Sequence, residues 1–266
     1  SSDLYEMKLY GGEDAMNKEC CRVLFVGESV LKIHVHFKGF ASYETGYYAD
    51  DIEDFTIPVE KEGVEFVFLR NHDVASLFPT RLEEINQYDV VVISDAPADS
   101  FLLHPKSLAG ERVPNRFKLI NDYVRNGGGF VMVGGWMAFS GFHGKAMYFS
   151  TPLTEILPVK MCTWDDRMET PEGVVPSVLI PDHPILSGIP ADWPYFMGYN
   201  KTFIDKGSTI MTINDDPFLV VDSIGKGRVA IFSSDLLPHW APKKFVQWEY
   251  YGRFWGQLFK WVAGKL

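Results

Sequence analysis

Acidic side chains stand shortly after three of the apolar runs in this sequence. Glu28, Asp95 and Asp235 each follow such a run, and His239 lies four positions beyond Asp235. The carboxyl ends of parallel strands meet at one edge of a sheet, so we expect these four groups to gather there. Grouped carboxyl and imidazole side chains can hydrogen-bond a polar ligand or transfer a proton. Glu28 and Asp95 are therefore predicted ligand contacts, and Asp235 and His239 are candidate catalytic residues.

A glycine pair ending in Gly135 follows the apolar run 130–133 and is followed by Trp136. A sharp strand-to-helix turn flanked by glycine is where α/β hydrolases present their nucleophile. Trp136 cannot act as a nucleophile, but its indole face can stack on a sugar or another polar ring. We expect Trp136 and Trp240 to face one crevice, with Gly135 allowing a close approach of backbone to ligand. The alternative is that both tryptophans only pack in the core.

Ser140 and His143 lie just beyond this turn and are further catalytic candidates. A serine hydroxyl next to an imidazole can act in acyl transfer if a third group orients the base. The simpler alternative, which we favour, is that Ser140 caps a helix or a turn.

His34 and His36 have the i, i+2 spacing that places two side chains on one side of an extended segment. They are expected in the loop after the first strand, near Glu28, so His36 is a predicted ligand contact. A metal site would need a third ligand. The candidates for it are Asp95, His104, Asp235 and His239. No complete metal-ligand motif is present, so ordinary hydrogen-bonded histidines are favoured, and neither a metal nor a cofactor is predicted.

The cysteines Cys20, Cys21 and Cys162 are too few and too irregularly spaced for a disulfide framework or a zinc site. A reducing, cytoplasmic compartment is the simplest expectation. Cys162 is expected in a strand as an inert core residue rather than as a nucleophile.

The elements that must position these residues alternate between strand and helix in the first half. The runs at 23–26, 64–69 and 90–93 are apolar apart from Glu65, which is typical of parallel strands buried on both faces. Helical signals separate them: Thr80 with Glu83 makes a capping box, and 114–126 reads as a helix stopped by three glycines. The alternation predicts a doubly wound sheet with a helical layer on each face.

The second half predicts closely spaced antiparallel strands and a final helix. Runs 208–213, 218–222 and 228–233 are strand-like, and the last two are joined by a hairpin turn at Gly225-Lys226-Gly227. A helix is predicted over 243–263, with an aromatic stripe that packs in the core. The fold class is therefore α/β, with a mostly parallel sheet and extra antiparallel strands toward the C-terminus.

Composition limits the partners that the chain is expected to have. The formal charge of −10 opposes a generic nucleic-acid surface, and no apolar run is long enough to span a membrane. Residues 1–19 are polar and lack the apolar core of a signal peptide, so we expect an extension over 1–19 and one domain over 20–266. A small-molecule ligand is the expected partner, and self-association of the chain is permitted.

Several short motifs resemble a bacterial family of class I glutamine amidotransferase-like proteins. The longest is MVGGWMAFSG at 132–141. The others lie at 27–29, 36–40, 115–116, 165–167, 183–185, 198–200, 227–228, 234–235 and 238–240. The resemblance runs from about Arg22 to Trp261, and a more distant one relates the chain to ThuA-like proteins linked to sugar utilisation. The resemblance to the glutamine amidotransferase-like family implies a flavodoxin-like three-layer core, but it carries no established reaction.

Class I amidotransferases need a cysteine at the elbow and a His-x-Glu pair, in which the cysteine attacks glutamine and the histidine activates it. Trp136 stands at the elbow here, and none of the seven histidines is followed two residues later by Glu. The triad is therefore absent, and glutaminase activity by that route is not expected. The leading hypothesis is a domain that binds or processes a small polar, carbohydrate-like metabolite. The alternatives are a His/Asp- or metal-dependent hydrolase or isomerase, and a non-catalytic interaction protein.

Overall fold

A nine-stranded sheet runs through the computed structural model, which describes residues 9–10 and 20–266. The strands of the described residues are β1 (Leu9–Tyr10), β2 (Cys21–Gly27), β3 (Val30–Lys38), β4 (Ala41–Ala49), β5 (Val64–Arg70), β6 (Val90–Ser94), β7 (Gly129–Val133), β8 (Val159–Met161), β9 (Arg167–Val174), β10 (Ser177–Val178), β11 (Phe196–Asn200), β12 (Thr202–Ile204), β13 (Ser208–Ile213), β14 (Asp216–Ile224) and β15 (Gly227–Phe232). The large sheet has the order β1-β5-β2-β6-β7-β15-β14-β13-β10.

The central strands β5, β2, β6, β7 and β15 are parallel, and those flanking them are antiparallel. Numbered along the chain, the parallel strands have the order 2-1-3-4-5, which is that of flavodoxin-like folds. In this order the chain reverses direction across the sheet between β2 and β6. Ligands of such folds bind beyond the strand ends at this reversal, so the topology selects one place for a site.

Alternate residues of the parallel strands enter two separate cores, as the continuous apolar runs predict. In β2, Val23 and Phe25 pack on one face of the sheet, while Leu24 and Val26 pack on the other. All four are 3% exposed or less. Each fully buried side chain of this size stabilises the fold by about 1.5–3 kcal/mol, so both helical layers are firmly attached.

Helices cover both faces. They are α1 (Glu53–Glu60), α2 (Asn71–Leu77), α3 (Leu82–Ile85), α4 (Asp99–Leu102), α5 (Pro105–Leu108), α6 (Arg116–Arg125), α7 (Lys243–Val246) and α8 (Tyr251–Val262). Residues of α1 and α8 belong to one core, and residues of α2, α3 and α6 to the other. The predicted three-layer α/β fold with antiparallel strands in the C-terminal half is confirmed. Within the described part of the chain, no helix is both long and apolar enough to cross a membrane.

Two helix predictions need correction. The capping box at α3 uses Glu84, not Glu83, because Glu84 Oε2 accepts from the backbone N–H groups of Thr80 and Arg81 at 2.9 and 3.2 Å. The predicted helix over 243–263 is interrupted between α7 and α8. Its aromatic stripe does pack in the core, with Phe245 and Trp255 fully buried.

The segment after β2 is a β-hairpin rather than the predicted loop. Strands β3 and β4 pair in register from Val30↔Ala49 to Lys38↔Ala41, and Gly39 at the tip has a φ of +61°. Of the predicted extension over 1–19, only Leu9–Tyr10 lies within the described residues, where it pairs with β5 at the sheet edge.

Candidate functional site

Glu28 and Asp95 leave neighbouring strands at the chain reversal, directly after β2 and β6. Both have left-handed backbone conformations, with φ of 47° and 46°, which are uncommon for residues other than glycine. The backbone N–H of Glu28 donates to the Ser94 carbonyl at 3.2 Å, and the Ser94 hydroxyl donates to Glu28 Oε1 at 2.6 Å. Backbone strain that is held in place by surrounding bonds is typical of functional sites.

Asp95 is fixed from two sides. Its Oδ1 accepts from the backbone N–H of Met137 at 2.6 Å, and the Asn71 side-chain amide donates to its carbonyl at 3.0 Å. The same amide donates to the Ser29 carbonyl at 2.9 Å. The ends of β2 and β6 and the start of α2 are therefore tied together beneath the site.

Gly135 lets two carboxyl groups approach the turn after β7. It has a φ of +145°, and a Cβ atom there would lie 2.8 Å from one carboxylate oxygen of Asp95 and 2.8 Å from one of Asp235. Its backbone N–H donates to Asn200 Oδ1 at 2.9 Å. Gly135 is buried, so its contribution is to make room for the two acids rather than to form a wall of the pocket.

Asp235 orients His239. Its Oδ2 lies 2.9 Å from Nδ1 of His239 and accepts from the backbone N–H of Trp240 at 2.9 Å. Asp235 is buried, whereas the His239 side chain is 43% exposed. Such a pair resembles the oriented base of hydrolytic sites, in which an acid fixes the tautomer and the direction of the ring.

These groups line a cavity of about 220 Å³ beyond the strand ends. Its walls are Glu28, Asp95, Trp136, Asp235, Leu237, Pro238 and His239. We call this cavity the strand-end pocket. Leu237 and Pro238 were not predicted, although their position between Asp235 and His239 was a signal for them.

Burial and mutual repulsion shift the protonation of the three acids. Burial raises the pKa of Glu28 well above its ordinary value, and the charges of Asp95 and Asp235 raise it further. Burial, followed by the charge of Asp235, raises the pKa of Asp95 to about 6. Burial also raises the pKa of Asp235. The pocket therefore holds carboxyl groups that can donate as well as accept hydrogen bonds near neutral pH.

The pKa of His239 is raised as well, although burial acts on an imidazole in the opposite sense to an acid. Burial lowers the pKa of His239, but the hydrogen bond and charge of Asp235, assisted by Glu169 and Asp95, outweigh it and raise that pKa. A histidine that is held by one carboxylate and lies beside a carboxyl group with a raised pKa is suited to exchange a proton with a bound molecule.

Trp136 forms an exposed but fixed wall of the pocket. It is 39% exposed, and its Nε1–H donates to Glu169 Oε1 at 3.2 Å. Phe142 stacks on it at a centroid distance of 5.1 Å, and the His239 ring meets it edge-on at 4.7 Å. The Arg167 guanidinium lies 5.1 Å from its ring centroid. The indole is therefore presented to solvent in one orientation.

The expectation that Trp240 shares this crevice is wrong. Trp240 is 1% exposed and packs against Gly198, where a side chain would overlap its ring. Its Nε1–H donates to Glu169 Oε2 at 2.9 Å, so one carboxylate of Glu169 holds both indoles. Trp240 lies outside the pocket because its backbone N–H donates to Asp235 and its ring points from there into the core.

Ser140 and His143 are not brought together. The buried Ser140 hydroxyl donates to the Cys162 carbonyl, and the Ser140 backbone N–H donates to Asp166 Oδ2 at 2.8 Å. His143 is exposed, with its ring against Phe142. The backbone N–H groups of Ser140 and Gly141 both donate to Asp166, and this arrangement directs the Ser140 hydroxyl into the interior. Ser140 therefore has a structural role, although its hydroxyl bonds a carbonyl 22 positions away and does not cap a helix or a turn as expected.

His36 lies on the hairpin and not in the pocket. Its Nε2 is 3.0 Å from the Thr45 hydroxyl, and its ring centroid is 6.4 Å from that of His34, so the two rings do share one side. In the described residues, no group of three or more His, Cys, Asp or Glu is placed to hold a metal ion. The loop expected to carry His36 to Glu28 is instead a paired strand that leads away from the pocket.

None of the cysteines lines the pocket. Cys162 is buried with its Sγ 3.6 Å from the Lys201 carbonyl, and Cys21 is buried at the start of β2, the end opposite to Glu28. Burial raises the pKa of both thiols, that of Cys21 to about 12, which disfavours the reactive thiolate.

Known proteins with the same arrangement of elements support a family assignment. A family model described as "Putative glutamine amidotransferase" matches residues 22–264. The chain belongs to this glutamine amidotransferase-like family. The match spans all five parallel strands and every residue of the strand-end pocket.

Solved structures agree with the glutamine amidotransferase-like assignment. Cytoplasmic protein STM3548 of Salmonella typhimurium is 37% identical with a TM-score of 0.86, covering 90% of this chain and 98% of that one. Cytoplasmic protein STM1381 of Salmonella typhimurium LT2 is 35% identical with a TM-score of 0.86, covering 91% and 99%. A "Putative thua-like protein" of Parabacteroides merdae, at 13% identity and TM-score 0.56, covers 93% and 91% and shares the fold. No curated protein matches the chain.

Proposed function

We propose that the strand-end pocket binds a small, uncharged, hydroxyl-rich molecule of carbohydrate type. The observation that carries this proposal is the convergence of three carboxyl groups and one imidazole on a 220 Å³ cavity with an indole wall. Carboxyl groups accept hydrogen bonds from hydroxyls, and protonated ones also donate to them. The indole face of Trp136 offers an apolar surface for the C–H face of a ring.

The charge of the pocket argues against an anionic ligand. Its lining, all within the described residues, contains three acids and neither lysine nor arginine. The nearby Arg167 is bound to Asp165 at 2.9 Å and lies against the Trp136 ring. A phosphate or carboxylate brought beside Asp95 and Asp235 would meet like charges in a poorly solvated site, which is unfavourable. A neutral ligand avoids this repulsion.

The Asp235–His239 pair supports a further step, proton transfer to or from the bound molecule. Asp235 fixes the His239 ring through Nδ1, so Nε2 is the nitrogen that is free to exchange a proton. Asp95, with a pKa of about 6, is a second group suited to the acid or base role. This observation favours a hydrolase or isomerase as the second candidate function. Hydrolysis of glutamine by a cysteine thiolate is not proposed, because the elbow holds Trp136.

A thermal-shift and ligand-observed NMR screen tests the binding proposal. The probes are neutral aldohexoses and hexitols, each compared with its 6-phosphate. We expect the neutral probes to bind and the phosphates to bind at least about tenfold more weakly, because repulsion of about 1.4 kcal/mol changes affinity tenfold. Preference for the phosphates, or no binding of any neutral probe at 10 mM (an order-of-magnitude ceiling for a specific small-molecule site), contradicts the proposal.

Variants localise the binding. Trp136→Ala and Asp235→Asn should abolish the shift, whereas Trp164→Ala, which removes a 64% exposed tryptophan outside the pocket, should leave it unchanged. Unaltered binding in Trp136→Ala would place the ligand elsewhere. We further propose that the protein acts in the cytoplasm, as the names of both Salmonella relatives indicate for those proteins.

A further inference from the structure

The β3–β4 hairpin, which we call the arm, projects from the rim of the strand-end pocket. Every residue from Val30 to Tyr48 is exposed, so the arm packs little against the rest of the described residues. Its base is attached by the Tyr48 ring, which stacks on His72 at 4.0 Å. A two-stranded hairpin without further packing is only marginally stable in water, so an arm with nine-residue strands calls for a partner.

The two faces of the arm differ in chemistry. From Leu31 to Lys38 strand β3 alternates strictly, and the apolar side chains of this stretch lie on one face with Tyr48 of β4. The apolar face comprises Leu31, Ile33, Val35, Phe37 and Tyr48. Phe37 is 77% exposed and Ile33 is 62% exposed. Such alternation is typical of a strand that has one face buried, and nothing in the described part of this chain buries it.

The opposite face of the arm is covered by stacked rings and lysine side chains. It carries Lys32, Lys38 and two histidine–tyrosine stacks, His34 on Tyr47 at 5.7 Å and His36 on Tyr43 at 4.7 Å. Stacked, partly polar rings of this kind can remain in water. The apolar face is therefore the side of the arm that needs a partner.

We propose that the apolar face of the arm packs against the same face of a second copy of the chain. In a twofold dimer one patch meets itself, so it must be complementary to itself. A row of aliphatic side chains and one phenylalanine meets this condition, and Glu44 is the single charged residue on that face.

The exposed area is sufficient for a stable dimer. The five side chains of the apolar face and Phe40 at the tip of the arm are between 49% and 113% exposed. Each offers on the order of 100 Å² for burial. Their sum, about 600 Å² per partner, reaches the lower end of the roughly 1,200–2,000 Å² in total that specific interfaces bury. Long apolar strands with two open edges are otherwise an aggregation hazard, which a closed dimer removes.

Sedimentation equilibrium on the whole chain tests the proposal. The wild-type protein should have twice the 30.2 kDa mass of one chain. Val35→Glu/Phe37→Glu should raise the dimer dissociation constant by about 100-fold or more, because carboxylates would be buried against apolar groups. The matched control His34→Glu/His36→Glu places the same charges on adjacent positions of the opposite face and should remain a dimer.

A third variant keeps the test independent of the point substitutions. Replacing residues 32–47 by Asn-Gly joins the cross-strand partners Leu31 and Tyr48 through a two-residue turn and should give a folded monomer. Circular dichroism should show the helical signal of the wild type, since the arm contains no helix and contributes to neither core.

Three results would overturn the proposal: a monomeric wild type, a dimer that survives removal of the arm, or equal dissociation by the two double variants. A monomeric wild type that co-sediments with phosphatidylcholine–phosphatidylglycerol vesicles would assign the apolar face to a lipid surface instead.

Discussion

The strand-end pocket and the arm are neighbours in the chain, since Glu28 lines the pocket and Val30 begins the arm. Each region departs from the usual rule that apolar side chains are buried and charged ones exposed, but in an opposite way. The pocket takes carboxyl groups out of water and holds each with specific hydrogen bonds, whereas the arm leaves aliphatic and aromatic side chains in water. Both departures are unfavourable in the isolated chain, and binding of the proposed ligand and the proposed second copy would relieve them.

The difference teaches what kind of partner each region fits. In the pocket the side chains are fixed before anything binds, as a small ligand with few contacts requires. In the arm, recognition depends on area rather than on single hydrogen bonds, as expected for a protein surface. Substitutions should therefore affect stability strongly near the pocket and weakly in the arm.

The largest expected difference between the two regions concerns Asp166, which supports the turn beneath Trp136. Its carboxylate accepts from the backbone N–H groups of Ser140 and Gly141 at 2.8 Å and from the Asn200 side chain at 2.9 Å. Asp166→Ala leaves these buried donors without an acceptor and should lower the free energy of unfolding by about 3–5 kcal/mol. Urea denaturation measures this change.

The control for Asp166→Ala is Lys38→Ala, which removes an exposed ammonium group on the opposite face of the arm. It should change the free energy of unfolding by no more than about 0.5 kcal/mol. If Asp166→Ala costs less than about 1 kcal/mol, the turn is held by its glycines and packing, and the contrast between the regions is weaker than we infer.

A second comparison uses one glycine from each region. Gly135→Ala forces a Cβ atom to within 2.8 Å of carboxylate oxygens of Asp95 and Asp235 at a φ of +145° and should cost about 2–4 kcal/mol. Gly39→Ala at the tip of the arm meets nothing within 4 Å and should cost at most about 1 kcal/mol, from its φ of +61°. Equal losses in thermal unfolding would contradict the view that only the pocket is tightly constrained.

Much of the pocket could be predicted because strand ends are identifiable in a sequence. Glu28, Asp95 and Asp235 follow apolar runs, and the parallel topology brings them together. Trp240 also lies close behind a strand, but the sequence does not indicate toward which side its ring turns. Glu169 could not be predicted as the partner of Trp240, because the two residues are 71 positions apart and meet only in the folded chain.

The arm could have been predicted, and the signal for it lay in the apolar residues rather than in the histidines. Val35 and Phe37 alternate with His34, His36 and Lys38 ahead of a glycine, which is a strand followed by a turn. The i, i+2 spacing of the histidines was interpreted as a ligand pattern, although it is also the period of a strand. A strand that packs on nothing in its own chain is the element for which sequence patterns give the least guidance about position.

The smallest expected effect is a gain in stability, whereas the substitutions described above lower it. The pKa of Asp95 is about 6 in the folded protein, above its ordinary value, so the folded state keeps a proton that the unfolded state has already released. Wild-type stability should therefore fall as pH rises from about 4 to 6 and stay lower above that range. Asp95→Asn keeps an acceptor for Met137 without this titration, and should be about 1–2 kcal/mol more stable than the wild type at pH 8, with no difference at pH 4.

Urea denaturation of both proteins across this pH range measures the effect, with Lys38→Gln on the opposite face of the arm as a control that should stay within about 0.5 kcal/mol at pH 8. A gain in Asp95→Asn together with loss of probe binding would mean that the chain retains an unfavourable buried acid for its ligand. If Asp95→Asn and the wild type lose stability in parallel as the pH rises, the titrating group is another residue. Glu28 is then the next residue to replace, because it is buried beside the same acids.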